Sequence, residues 1–232
     1  MHTPTDDETA SRMVRIPAGT VDLRDDRRGA RWQVEIEPFL LGRHPVTTAR
    51  QHHAVTGEEL APTEPGGAVP VTNISWLGAV DLCNLFSARS GLDPVYSRDT
   101  RTGEVTRDPA SDGYRLPTEA EWQYACKAGT TGYRYGEIDA IAWYDGNSGG
   151  RIHEAGSKAP NPWGLHDMLG NVWEWCWDLY DAEVYGEYRT FRGGGWAEPE
   201  RGCGATVRRR SHPTFAIDDL GLRLARNLPG RG

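Results

Sequence analysis

The stretch Asn161–Asp178, NPWGLHDMLGNVWEWCWD, constrains this chain more than any other part of it. It gathers four tryptophans, two glycines and three carboxylates into one short run. Successive side chains of a strand point to opposite faces. An extended chain from Trp173 therefore sets Trp173, Trp175 and Trp177 on one side and Glu174, Cys176 and Asp178 on the other, which predicts a strand with an aromatic, core-facing side. Just upstream, Asp167, Gly170, Val172 and Glu174 span a Gly-containing bend, where two carboxylates and two peptide carbonyls can converge. An all-oxygen donor set suits a hard cation such as calcium. The competing reading is a carboxylate cluster that caps a turn or pairs with one of the chain's many arginines.

The flanking segments are short and clearly punctuated. Val14 and Ile16, then Val34, Ile36 and Phe39–Leu41, surround the charged turn Arg24–Arg28 and read as an antiparallel pair. Thr47 or Thr48 caps a short helix through Val55, followed by a loop from Gly57 through Pro62–Pro70. Ser75 caps a better helix, with Ala79, Leu82, Cys83 and Phe86 at the spacing of a buried stripe and Gly91 as its stop. Residues 93–112 read as a hairpin excursion. Thr118 with Glu121 three residues on is a capping box, opening a helix whose apolar face is Trp122, Ala125 and Cys126 and which Gly129 ends. Beyond it, short strands are expected at Tyr133–Gly136, in the Trp-rich run, and at Thr190–Trp196, Gly202–Arg209 and Leu220–Leu224. Two short amphipathic helices among many short antiparallel strands make an α+β, loop-rich fold.

Several function classes drop out. A net charge of −7 does not favour counterion-driven binding to nucleic acid. No apolar run is long enough to span a bilayer. Residues 1–12 are polar and acidic, with neither a basic start nor an apolar stretch, and read as a disordered tail ahead of a single domain at 13–228. The four cysteines, Cys83, Cys126, Cys176 and Cys203, form no CxxC pair, so the expected setting is a reduced cytoplasm. HExxH, GxSxG and Gly-rich phosphate loops are absent. His52 and His53 are expected on a helix surface. The expected partner is a small molecule or a peptide, not nucleic acid or membrane.

The run Trp163–Trp175 resembles the signature of the sulfatase-modifying-factor family, which includes formylglycine-generating enzyme, the C-terminal domain of ergothioneine sulfoxide synthases and pyoverdine-maturation proteins. Met13–Gly19, Pro45–Thr47, Pro70–Trp76, Gly113–Trp122, Arg192–Trp196 and Leu220–Arg223 resemble further family blocks, in the family's order. The resemblance runs from Arg12 to Leu228. It implies a C-type-lectin-like fold and a structural calcium at Asp167, Gly170, Val172 and Glu174. A second calcium site of the family is not matched near Trp143 and Tyr144. His166 stands where the family usually has Tyr, and packing is its expected role. The triple Arg208, Arg209 and Arg210 suits an anionic substrate, but the resemblance implies that at least one of them, like Arg223, pairs internally with acidic groups. Cys83 and Cys126 match positions that form disulfides in some members. Their partner positions, near Val207 and at Leu224, are not cysteine, so both are expected to be free.

In formylglycine-generating enzyme, two cysteines after the glycine-rich block bind a copper ion that activates oxygen to oxidise a substrate cysteine. The matching positions here are Glu198 and Cys203. A soft bis-thiolate copper site cannot be built from a carboxylate and one thiol. Formylglycine generation is therefore not expected. The resemblance leaves an oxidoreductase on a peptide or small metabolite, with Cys203 and Glu198 at the catalytic positions and copper or iron unsupported by the ligand pattern. The alternative is a non-catalytic module that holds a ligand or protein through the loop Ala197–Arg201.

Overall fold

The structure, a computed structural model, describes residues 12–57 and 68–228. The tail expected at residues 1–12, apart from Arg12, and most of the Pro62–Pro70 loop lie outside the described residues. The elements in chain order are β1 (Met13–Ile16), β2 (Gly19–Asp25), β3 (Ala30–Ile36), β4 (Phe39–Gly42), α1 (Thr48–Thr56), α2 (Trp76–Arg89), β5 (Tyr96–Arg98), β6 (Val105–Arg107) and β7 (Tyr114–Arg115). There follow α3 (Glu119–Lys127), the single turn α4 (Ile138–Ile141), β8 (Trp173–Leu179), the single turn α5 (Ala182–Tyr185), β9 (Arg189–Arg192), a 3-10 turn (Glu200–Gly202), β10 (Arg209–Ser211), β11 (Leu220–Gly221) and β12 (Ala225–Asn227).

Strands this short must find main-chain partners far away in sequence. One antiparallel sheet has the order β1-β4-β12-β7, so the C-terminal strand is inserted between two strands from the first half. The other has the order β10-β9-β8-β11, with β11 parallel to β8. Hairpins β2–β3 and β5–β6 stand apart. The charged turn Arg24–Arg28 closes β2–β3, and the pair expected from residues 13–41 is really two, β1–β4 enclosing β2–β3.

Strand β8 runs between two apolar cores. Trp173 and Trp175 enter one with Trp76, Ala79, Leu82, Cys83 and Phe86 of α2. Cys176 enters the other with Trp122, Ala125 and Cys126 of α3 and with Leu165, Met168 and Leu169. The aromatic face is buried as the alternation predicts, and so is the opposite one, where Glu174 and Cys176 have no exposed surface. Buried indole N–H groups need acceptors. Trp175 Nε1 donates to Ile74 O at 3.0 Å and Trp76 Nε1 to Cys176 O at 2.9 Å, fastening β8 to the start of α2.

Two of the three expected caps form, while Thr47 precedes α1 without a side-chain cap bond. Ser75 Oγ accepts from Gly78 N at 3.1 Å, and both halves of the Thr118–Glu121 capping box form, at 3.1 and 2.8 Å. The expected amphipathic helices are α2 and α3, and α1 is the short helix expected through Val55; only the two single turns are added. The strand expected over Thr190–Trp196 ends at Arg192, because Gly193 and Gly194 take φ of 106° and 88° and turn the chain out of the sheet. Gly202–Arg209 is turn and 3-10 chain until β10 begins, and Tyr133–Gly136 is bent rather than extended. All four cysteines are free and buried. Among the described residues no helix is long and apolar enough to cross a membrane.

Candidate functional site

Two neighbourhoods hold the residues singled out above. The first is the turn leading into β8, where Asp167, Gly170 and Asn171 all adopt left-handed φ values of 52°, 73° and 63°. Gly170 is required there, since an added Cβ would lie 2.3 Å from Trp143 O. Asn171, fully buried, fixes the turn by exchanging side-chain bonds with the backbone N–H and carbonyl of His153, both at 3.0 Å. Asp167 Oδ2 accepts from Gly156 N at 2.6 Å, and burial holds this carboxyl above its usual range against the pull of that bond and of Arg223.

Glu174 is taken up differently. Arg223 gives its Nε to Oε1 and Oε2 at 3.1 and 3.0 Å and its Nη2 to Oε1 at 2.7 Å, while Trp122 Nε1 donates to Oε2 at 2.7 Å. Arg223 is equally buried and spends its other N–H groups on Gly42 O at 2.8 Å and His166 O at 2.7 Å. A hard cation fits Asp167, a buried carboxylate whose desolvation it would offset. Its fit to the Glu174 side chain is poor, because both oxygens already face a guanidinium. The turn thus unites one carboxylate suited to calcium with one committed to an arginine.

The second neighbourhood is built by glycines. A Cβ on Gly194 would lie 2.7 Å from Cys203 Sγ, one on Gly195 2.4 Å from Asp219 Oδ2, and one on Gly202 2.4 Å from Glu198 Oε2. Only bare backbone lets each of these side chains pack so closely against this loop. Cys203 has no exposed surface; burial, with Glu198 and Glu200 adding to it, pushes its thiol up to about 12. A thiol held this way stays protonated at neutral pH, where the thiolate is the nucleophile and metal ligand. Among the described residues no three His, Cys, Asp or Glu side chains gather as a metal-binding group.

Asp219 escaped the reading of the sequence. Burial first, then Asp218 and Glu198, push its carboxyl up to about 6. A carboxyl raised in the folded state keeps a proton that the unfolded chain has released, so stability falls as pH rises from about 4 to about 6. In Asp219→Asn that fall should shrink, with melting temperature more nearly constant across this window in thermal scans; an unaltered pH profile would show that other carboxyls set it.

The rim of this site is open. Ala197, Pro199, Glu200 and Arg201 are exposed, and so are Phe215 and Ile217 on the neighbouring loop, at 39% and 41%. Trp196 lies between the two loops: its Nε1 donates to Asp218 O at 3.4 Å and its carbonyl accepts from Ser148 Oγ at 2.9 Å. Arg134 ties the loop down through Cys203 O and Glu200 Oε1, both at 2.9 Å.

The remaining candidates are structural. Arg208 and Arg192 both grip the buried Glu119, and Arg210 lies 3.7 Å over the Tyr185 ring, which leaves Arg209 as the exposed member of the triple. His166 stacks on His44 with ring centres 4.9 Å apart. His52 and His53 both lie in α1, partly buried.

Residues 2–228 match the sulfatase-modifying factor enzyme 1-like domain. The chain is 28% identical to the chaperone protein LppX of Paenibacillus barcinonensis, over 84% of this chain and 82% of that one. It is 32% identical to the inactive C-alpha-formylglycine-generating enzyme 2 of Bos taurus over 49% of this chain, a match spanning 44% of that protein. Treponema denticola variable protein 1 superposes with a TM-score of 0.82 at 30% identity, over 93% of this chain and 95% of that one. A match over nearly all of these residues places the chain in the sulfatase-modifying factor enzyme 1-like domain family.

Proposed function

We propose that this chain is a ligand- or protein-binding member of its family, which holds its partner on the face made by Ala197–Arg201, Trp196, Phe215 and Ile217. The observation that carries this reading is Cys203, fully buried, with Glu198 where a copper site of the formylglycine-generating type needs its second thiol. Exposed aromatic and aliphatic side chains bordered by charged ones are what a recognition surface presents. Two relatives support it by name, one called inactive and one a chaperone protein. Elemental analysis with oxygen-uptake measurement tests it. The reading expects no uptake in the presence of copper or iron and a reductant. Stoichiometric copper or iron in the purified protein, together with uptake, would overturn it.

The second reading is an oxidoreductase acting on a peptide or small metabolite. Asp219 favours it, as a carboxyl poised near 6 beside Glu198 is the kind of group that moves protons in a reaction. The same uptake assay decides between the two.

Calcium belongs to either reading. Asp167 and the carbonyls of Gly170 and Val172 would hold it, with Glu174 standing behind them as the partner of Arg223. Calcium bound only by the folded chain stabilises it, so chelation should lower the melting temperature. An unchanged melting curve in EDTA would leave Asp167 as a turn cap for Gly156.

A further inference from the structure

A cleft of about 680 Å³ lies between the first turn of α2, the β5–β6 hairpin, the end of β8 with the α5–β9 connection, and the chain at His212–Thr214. None of Asp167, Glu174, Glu198, Cys203 or Asp219 lines it. Sites for small organic ligands run from roughly 300 to 1,000 Å³ and combine apolar walls with a few placed polar groups. The apolar walls here are Leu77, Val105 and Leu179, the last 41% exposed, set over the buried Trp76 and Pro213.

The polar groups are two arginines. Arg189 lies over Trp76, its guanidinium carbon 3.8 Å from the ring centre and 5.1 Å from that of Trp177. Nη1 donates to Trp177 O at 2.7 Å, while Nε is buried with no hydrogen-bond partner. Burial pulls this guanidinium below its usual range, and Asp178, Tyr96 and Glu187 oppose that from a distance. Arg98, exposed on β5, completes the pair; among the described residues neither arginine forms an ion pair. Of the acids in the lining, Glu187 is held by His212 Nε2 at 2.5 Å and Glu104 sits on the hairpin. A half-buried cation without a counter-ion is a standing cost that an arriving anion removes.

We propose that this cleft binds a small organic monocarboxylate with an apolar body, its acid group on Arg189 and Arg98 and its body against Leu77, Val105 and Leu179. The planar fork of a guanidinium matches a carboxylate bidentately. Glu104 and Glu187 lower the positive potential of the cleft, which disfavours a dianion such as phosphate.

The test titrates 2-naphthylacetic acid and its primary amide into the full chain, following Trp fluorescence and calorimetric heat. The acid is expected to bind with Kd below about 1 mM and the amide roughly tenfold more weakly. Arg189→Gln would mix lost binding with lost packing. Arg98→Gln and Leu179→Glu change only exposed side chains, and each should weaken the acid about fivefold or more at an unaltered melting temperature. The proposal is overturned by equal binding of acid and amide, by no saturable binding of the acid up to about 10 mM, by displacement of the acid with equimolar inorganic phosphate, or by indifference of binding to both exposed substitutions.

Discussion

Arg223→Met is expected to destabilise the fold by about 3–5 kcal/mol. Neither Arg223 nor Glu174 has any exposed surface, and their contact closes at 2.7 Å. Removing the guanidinium strands the buried Glu174 carboxylate with only Trp122 Nε1 to answer it, and orphans Gly42 O and His166 O as well. Those carbonyls lie at the end of β4 and beside the Asp167 turn, so the damage spreads to both sheets' connection. Urea denaturation followed by circular dichroism measures the loss. The double variant Arg223→Met with Glu174→Leu should recover much of it, because replacing both members of a buried pair leaves no charge behind. A single variant that loses less than about 1 kcal/mol would mean that water reaches Glu174.

Gly194→Ala should cost about 2–3 kcal/mol. Gly194 sits at φ 88°, where an L side chain is strained, and its new methyl would press on Cys203 Sγ at 2.7 Å and Gly202 O at 3.1 Å. Adding Cys203→Ala removes the sulfur but neither the strained φ nor the carbonyl, so only part of the loss should return. Complete recovery would show that sulfur contact alone demands glycine. No loss from the single variant would show that the loop 197–203 is free to move away, contrary to a site closed by its glycines.

Much of this was legible in the sequence because the signals are local. Ser75, Thr118 and Glu121 announced their helices within one turn, and the Trp173–Asp178 alternation gave β8 and its aromatic face. The other face was not legible from alternation. A Glu and an Asp at every second position suggest solvent, and only the arrival of Arg223 from the far end of the chain, with α3 above it, makes Glu174 a core residue. Likewise, the parallel pairing of β11 with β8 and the insertion of β12 between β4 and β7 are long-range facts with no local mark. At the site, family spacing pointed to Glu198 and Cys203. Asp219 carries no motif, and it packs against the same loop only because Gly195 lacks a side chain. Arg98 and Arg189 lie far apart in the chain, and nothing but the fold reveals that they share a cleft without carboxylate partners.

The absence of cysteine-oxidising activity is the claim on which the functional reading stands. It is met most directly by incubating a cysteine-containing sulfatase-type peptide with copper and reductant, and with either the native chain or Glu198→Cys, followed by mass spectrometry of the peptide. The native chain is predicted to leave the cysteine unconverted, with any conversion confined to Glu198→Cys, which restores the second thiol. Conversion by the native chain would contradict the account.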